Sequence, residues 1–257
     1  MTAPTLSLAP ITSEILGDVR HGFFTRRGGA SSGVFEGLNC GFGSSDQAEI
    51  VALNRARVAA TLGVSASHLV SAHQSHSARA IVIDAPFIGP RPEADALVTA
   101  TPGVALATLA ADCQPVLMAD REAGVIAAVH AGWRGALGGV LEAAIDAMET
   151  AGARRAHIHA VIGPAISQRA YEVGQDLLER FLDEDPDNAR YFTNGNGDRY
   201  QFDLPGYGLR RLRAAGIAEA GWTGHCTYSD PDRFFSYRRS RHSGQADYGR
   251  LISAIRL

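Results

Sequence analysis

Cys113 and His130 are the two residues whose types and spacing most clearly indicate chemistry. They stand 17 positions apart, Cys113 shortly after one apolar run and His130 near the end of the next. If the two runs are neighbouring strands whose ends lie side by side, the thiol and the imidazole would meet. Such a pair can be a nucleophile with its base, or two ligands of a metal ion. The residues alone leave both interpretations open.

A third element is the segment "AHQSHSA" (residues 72–78), which places His73 and His76 before another β-type run. Two imidazoles and one thiolate suit Zn²⁺, with the fourth position left open as in catalytic zinc sites. The same donor set also suits copper. The spacing does not determine whether His73 or His76 is the ligand, or which of the two metals is bound.

Apolar runs around these residues predict the elements that must position them. Continuously apolar runs at 115–119 and 124–131 are typical of strands covered on both faces. Further strands are predicted at 80–84, 96–99 and 104–110, and "RFFSYRR" (233–239) predicts a late strand with Arg238 and Arg239 on opposite faces. Helical periodicity follows at 137–148. We therefore expect a single α/β (α+β) domain over residues 1–257, with mixed β-sheets flanked by helices.

Composition excludes several classes of function. The net charge of −3 disfavours wholesale binding to nucleic acid or to an anionic membrane. All 24 basic residues are arginine, which excludes Schiff-base lysine chemistry and leaves guanidinium groups or backbone N–H groups to hold an anion. Three scattered cysteines and the lack of a secretory signal or a long apolar stretch predict a cytoplasmic protein without a membrane span.

Several motifs, in order along the chain, resemble the polyphenol oxidase/laccase-domain family, also described as purine nucleoside phosphorylases and as peptidoglycan editing factors. They are "HGFFTRRGG", "LNCG", "NRAR", "HQSHS", "ADALVT", "ADCQPVL", "AVHAGWRG", "IGPAISQRAYEVG", "CTY" and "FFSYRR". The resemblance implies His76, Cys113 and His130 as metal ligands, with zinc as the metal and copper also possible. It also implies a layered fold resembling that of a bacterial toxin deamidase with a cysteine-hydrolase centre.

The same resemblance implies phosphorolysis of adenosine, inosine and methylthioadenosine, together with adenosine deamination. On this interpretation Cys113, His130 and the neighbouring Asp112 are the catalytic candidates, with Asp112 either carrying a proton or bracing the site. The candidates for substrate binding are Arg26, Arg134 and Arg238, because guanidinium forks match phosphate oxygens, and Asn39, which lies in a glycine-rich loop. The expected partners are a nucleoside and phosphate, and the expected assembly is a monomer or a weak homodimer.

Three other functions remain open from the sequence. Cys113 and His130 could form a cysteine hydrolase or amidase that trims peptidoglycan precursors. Copper in the same site could oxidise phenols in the manner of a laccase. A metal-binding protein without catalytic activity would carry a site that is closed to ligands.

Overall fold

The computed structural model describes residues 8–257, which form three β-sheets and six α-helices. The strands are β1 (Arg20–Phe23), β2 (Leu69–Val70), β3 (Ala80–Val82), β4 (Ala96–Thr99), β5 (Ala105–Ala110), β6 (Gln114–Asp120), β7 (Val125–Ala131), β8 (His159–Ile162), β9 (Glu172–Val173), β10 (Phe192–Asn194), β11 (Tyr200–Phe202), β12 (Glu219–Trp222) and β13 (Leu251–Arg256). The helices are α1 (Ala48–Leu62), α2 (Trp133–Leu137), α3 (Val140–Thr150), α4 (Gln175–Glu184), α5 (Leu204–Ala214) and α6 (Tyr237–His242).

The largest sheet has six strands in the order β12-β8-β6-β7-β4-β3. It is mixed, because β12 with β8 and β3 with β4 are parallel while the pairs between them are antiparallel. A second mixed sheet has the order β1-β13-β5-β2, and a small antiparallel sheet has the order β10-β11-β9. The predicted α+β class with mixed sheets and flanking helices is confirmed.

Strands β6 and β7 lie at the centre of the molecule, since every residue of both is buried. Alternate side chains divide between two cores: Val116 and Val129 face the helices α3 and α5, while Leu117 and Ala128 face the four-stranded sheet. Two covered faces explain why both runs are continuously apolar in the sequence. The chain thus folds as helices on one face of the large sheet and a second sheet on the other.

The predicted strand over 233–239 is wrong. Phe234 and Phe235 are both buried in a turn, and α6 begins directly after Ser236. The Ser236 hydroxyl accepts a hydrogen bond from the backbone N–H of Arg239 (3.1 Å), which caps the helix. Polar caps thus override an apolar and aromatic run that is typical of a strand.

No prediction covers β13, although it pairs with both β1 and β5 at the centre of the four-stranded sheet. Within residues 8–257 there is no helix that combines the length and the apolar character needed to cross a membrane.

Candidate metal centre

The antiparallel hairpin of β6 and β7 brings Cys113 and His130 together. Its register pairs Pro115 with His130 and Gln114 with Ala131. Cys113 therefore lies just beyond the end of the hairpin that carries His130. His130 is 4% exposed and Cys113 is half-buried. The close approach expected from neighbouring strand ends is therefore present in the structure.

His76 completes the cluster from a loop between β2 and β3. Its Nε2 lies 3.8 Å from the Cys113 sulfur, and its ring packs edge-on against the His130 ring with centroids 4.8 Å apart. His76 adopts a left-handed backbone conformation (φ 61°), which is uncommon for a residue other than glycine. Such strain persists only where surrounding contacts hold it, and one carboxylate supplies these contacts.

That carboxylate belongs to Asp95, which is 3% exposed and comes directly before β4. Its Oδ1 accepts hydrogen bonds from the His76 N–H (3.1 Å) and from His130 Nδ1 (2.8 Å). Its Oδ2 accepts from Ser75 N–H (3.1 Å), Ser77 N–H (2.7 Å) and the Ser77 hydroxyl (2.8 Å). An ionised carboxylate only accepts hydrogen bonds, so it fixes the proton of His130 on Nδ1 and leaves Nε2 for the cluster.

The candidate ligand atoms of His76, Cys113 and His130 all lie within 4.8 Å of one another. Ligand bonds of about 2.0–2.3 Å in tetrahedral geometry place neighbouring ligand atoms ~3.5 Å apart. The observed 3.8 Å between sulfur and imidazole nitrogen is close to that spacing. The three side chains could therefore hold one metal ion after a small inward movement.

The electrostatics of the cluster favour a thiolate. Burial opposes ionisation of Cys113, but the charge of His130 and hydrogen bonds from His130 and His76 outweigh it and lower the thiol pKa to about 6. Burial likewise disfavours the charged form of His130, yet the charge of Cys113 and the hydrogen bond to Asp95 raise its pKa to about 9. Burial alone would raise the pKa of Asp95, but hydrogen bonds from His130 and Ser77 bring it down to about 2. The centre is thus a thiolate beside an imidazolium in the absence of metal, a state suited either to metal binding or to nucleophilic attack.

Gly132 makes the close approach of the ligands possible. A Cβ atom at this position would lie 2.9 Å from the Cys113 sulfur and 2.9 Å from Cδ2 of His76. Real side chains do not tolerate such distances, and both obstructing groups are ligand candidates. The glycine after "VHA" is therefore required by the packing of the cluster.

Asp112, the third catalytic candidate, lies beside the cluster but its carboxylate is engaged. Oδ1 accepts from the Thr227 hydroxyl (2.7 Å) and Oδ2 from the backbone N–H of Arg238 (2.6 Å). Its backbone has φ 96°, so both non-glycine residues with positive φ among residues 8–257 adjoin or belong to the cluster. Asp112 thereby ties the turn that carries Cys113 to the start of α6.

A cavity of about 510 Å³ opens on one side of the cluster. His76, Asp112 and Cys113 line it together with two candidate binding residues, Arg134 and Arg238. The remaining walls are largely aromatic, from Trp133, Tyr171, Tyr237 and Tyr248.

The two arginines of this cavity differ in their engagement. Arg134 stacks over the ring of Trp133 at 5.0 Å and has no carboxylate partner within ion-pair distance in the described part of the chain. Arg238 donates to the Glu172 carbonyl (2.5 Å) and lies over the Tyr171 ring. The guanidinium of Arg134 is therefore the freer of the two.

The structure does not bring Arg26 and Asn39 to the cluster. The Arg26 guanidinium donates to the carbonyls of Glu36 (2.8 Å) and Pro231 (3.1 Å). The fully buried Asn39 side chain donates to Ser44 and Asp46 and accepts from two backbone N–H groups. Both side chains hold loops together, and neither lines the cavities beside the cluster.

Asp95 is the functional candidate that sequence reasoning misses. An aspartate before an apolar strand resembles an ordinary loop residue, and its role depends on the pairing of β4 with β7. Because Ala96 pairs with Val129, the preceding Asp95 comes beside His130. The available signal is the motif "ADALVT", in which this one carboxylate precedes a buried run.

A mixed α+β fold that gathers two imidazoles and a thiolate at the end of a central hairpin defines a protein with a candidate metal centre open to a cavity. The model of the family described as multi-copper polyphenol oxidoreductase laccase matches residues 20–257, and the chain belongs to this family. The family resemblance seen in the sequence motifs is thus confirmed.

Several relatives and solved structures are similar over nearly the whole chain. A Deinococcus radiodurans protein named purine nucleoside phosphorylase is 41% identical over 259 residues, covering 100% of this chain and 95% of its own. A Corynebacterium glutamicum protein of the same name is 40% identical, covering 88% of this chain and 92% of its own. The crystal structure of a Neisseria meningitidis protein has a TM-score of 0.87 at 36% identity, covering 98% and 99% of the two chains. YlmD from Geobacillus stearothermophilus has a TM-score of 0.86 at 28% identity, covering 95% and 93%.

Proposed function

We propose that this protein is a zinc-dependent purine nucleoside phosphorylase that acts on adenosine, inosine and methylthioadenosine and also deaminates adenosine. The observation that carries the proposal is the His-Cys-His cluster at the mouth of an aromatic cavity large enough for a nucleoside. The names of the similar Deinococcus and Corynebacterium proteins support the same substrate class.

The larger cavity would hold the nucleoside. Trp133, Tyr171 and Tyr237 line this cavity, and a purine that stacks on one of these rings would gain about 1–3 kcal/mol. Arg134 lines the same cavity and would donate hydrogen bonds to the sugar or the base. The ribose would then lie nearest the cluster, since His76 and Cys113 form that end of the wall.

In phosphorolysis a phosphate oxygen forms a bond to C1′ of the ribose, and the bond between C1′ and the purine nitrogen breaks. The electron pair leaves with the base, which takes up a proton, and ribose 1-phosphate (or its methylthio derivative) is the other product. The chain's task is to hold both reactants in line and to neutralise the charge that moves from phosphate to base.

The donor set fits zinc, because a thiolate and two neutral imidazoles are typical ligands of Zn²⁺ and three protein ligands leave a position open. When bound at such a site, zinc supplies a Lewis acid that polarises an oxygen or activates water near neutral pH. Asp95 would keep His130 in the tautomer that presents Nε2. Copper fits the same donors and is the alternative metal.

Deamination needs a group that moves a proton while water adds to the purine ring and ammonia leaves. Asp112 lines the cavity, and burial raises the pKa of its carboxyl group despite hydrogen bonds from Arg238 and Thr227. Burial of this kind favours the protonated form of the carboxyl group, which is the form that can donate a proton. We assign this second activity to the same cavity.

The test is a product analysis of the purified, metal-containing protein incubated with adenosine, with and without inorganic phosphate. Adenine that forms only with phosphate is the result expected of phosphorolysis, and inosine in both samples is the result expected of deamination. If neither product forms and the protein is folded with metal bound, the proposal is refuted. Cys113→Ser is the matched variant, because it removes a ligand at nearly constant volume.

A cysteine hydrolase or amidase is the second candidate, and one observation favours it. Cys113, His130 and Asp95 are arranged as a nucleophile, its base and the carboxylate that orients the base. This candidate requires activity after complete removal of metal and loss of activity on alkylation of Cys113. The copper-dependent oxidation of phenols in the family's description would instead appear only in copper-loaded protein.

A further inference from the structure

A second, smaller cavity of about 230 Å³ also borders the cluster. It shares His76, Cys113 and Tyr248 with the larger cavity, so the two meet at the candidate ligands. Its other walls include Phe42, Arg91 and Arg250, and no carboxylate from residues 8–257 lines it. The wall of the small cavity therefore holds guanidinium groups and, in the described part of the chain, no carboxylate.

Two guanidinium groups converge on the Ser71 hydroxyl beside this cavity, and of the two only Arg91 lines it. Arg55 is 8% exposed and donates to the Ser71 hydroxyl at 3.1 Å, and an Nη atom of the exposed Arg91 lies 3.5 Å from the same oxygen. The remaining acceptors of Arg55 are the carbonyls of Cys40 (3.4 Å) and Leu69 (3.3 Å). No carboxylate in the described chain lies within ion-pair distance of either arginine.

This arrangement is unfavourable without an anion. A buried guanidinium needs a counter-charge, and a second guanidinium beside it adds repulsion. Burial lowers the pKa of Arg55; the nearby Cys40 opposes this shift, and the positive charge of Arg91 adds to it. Phe42, which lines the cavity, lies over the Arg55 guanidinium at 5.4 Å and separates it from solvent. Arg91 is thus the exposed donor. Arg55 is buried and does not line the cavity, and it contributes positive charge close to it.

Arg250 has a different role in the same cavity. It pairs with Asp247 at 3.1 Å, so its charge is already compensated. Its guanidinium stacks on the ring of Tyr248 at 4.0 Å. Arg250 therefore holds in place the aromatic ring that both cavities share.

We propose that the small cavity is the phosphate subsite of the enzyme, with Arg91 as the donor that contacts the oxyanion and Arg55 as the buried charge behind it. This proposal rests on the proposed function, to which it adds the position of the second substrate. Phosphate in the small cavity and a nucleoside in the larger one would meet at the cluster. The attacking oxygen and C1′ would then lie on either side of the junction near His76 and Cys113.

The test is a calorimetric titration of inorganic phosphate into the metal-containing protein without nucleoside. Arg91→Gln removes the exposed guanidinium, and because that group makes a single, long hydrogen bond within residues 8–257, the variant is expected to fold normally. Arg134→Gln is the matched control, since it removes an equally unpaired guanidinium from the larger cavity. A charged hydrogen bond lost from phosphate corresponds to an affinity lower by about 10- to 100-fold.

The proposal is supported if Arg91→Gln weakens phosphate binding by about tenfold or more while Arg134→Gln leaves it near the wild-type value. In the phosphorolysis assay, Arg91→Gln should then raise the KM for phosphate and leave the KM for nucleoside largely unchanged. The proposal is overturned if wild-type protein binds no phosphate, or if both variants bind it equally well. Because the titration contains no nucleoside, a protein that binds phosphate through Arg91 but cleaves no nucleoside would refute the proposed function alone.

Discussion

Replacing Asp95 with asparagine tests whether one carboxylate organises the metal centre. Asparagine keeps one acceptor oxygen and replaces the other by an amide N–H₂ group. If the oxygen stays on the side of Ser75 and Ser77, where three donors converge, the amide faces the His76 N–H and His130 Nδ1. His130 must then lose its acceptor or move its proton to Nε2, where it would block a metal.

The magnitude follows from these contacts. Each buried donor left without an acceptor costs about 1–3 kcal/mol, so two donors lower the free energy of unfolding of metal-free protein by about 2–6 kcal/mol. Loss of a carboxylate that orients a histidine ligand weakens metal binding by about 10- to 100-fold. Urea denaturation measures the first quantity, and competition with a chelator of known affinity measures the second.

Ser77→Ala is the matched control for Asp95→Asn. It removes one of the five hydrogen bonds to the carboxylate, the one from the hydroxyl, and should cost only about 1 kcal/mol with metal affinity nearly unchanged. An Asp95→Asn protein that binds metal as tightly as the wild type would refute the reasoning, because the tautomer of His130 would then not depend on Asp95.

Three further results are expected. Cys226→Ser removes the other cysteine that is only partly buried. In metal-free protein with this change, alkylation of Cys113 should rise with pH around a midpoint near 6, because the thiol pKa is lowered to about 6 and the thiolate reacts; a midpoint above 8 would contradict this. Gly132→Ala should abolish metal binding by displacing ligands 2.9 Å away, while circular dichroism stays native; retained stoichiometric metal would argue against it. Asp112→Ala should lower the free energy of unfolding by about 2–4 kcal/mol by leaving the Arg238 N–H and a hydroxyl without an acceptor, whereas Asp112→Asn, which can pair with both, should cost about 1 kcal/mol; equal costs in urea denaturation would refute this account.

The fold was predictable wherever burial on both faces leaves a continuous apolar run. The runs that contain β4, β5, β6 and β7 are of this kind, and their strands form where expected. The segment 233–239 has a similar appearance, but its backbone groups bond to side chains and to carbonyls of a turn and a helix rather than to a neighbouring strand. Sequence patterns record apolar character and not the partner of the backbone, so the prediction of a strand here is wrong.

The candidate site was predictable in its ligands and not in its supports. His130 and Cys113 stand out because a thiol and an imidazole at neighbouring strand ends can form a nucleophile with its base or part of a metal site. Asp95 and Arg91 do not stand out, since a loop carboxylate and a loop arginine are usually solvated. Their importance comes from contacts between segments far apart in the chain, which a single sequence does not display.

The hairpin of β6 and β7 also determines where this protein tolerates change. Its ladder runs from Gln114 and Ala131 at the cluster to Asp120 and Val125, six residues or about 20 Å away. The number of residues between Cys113 and His130 is therefore set by the length of the hairpin. The chemistry of the site does not require this particular number. Loop residues inserted at 121–124 would leave the ligands in place, whereas a single residue added within one strand would turn His130 to the opposite face of the sheet. The distal turn is accordingly the position at which a label or a second domain can be joined without disturbing the metal centre.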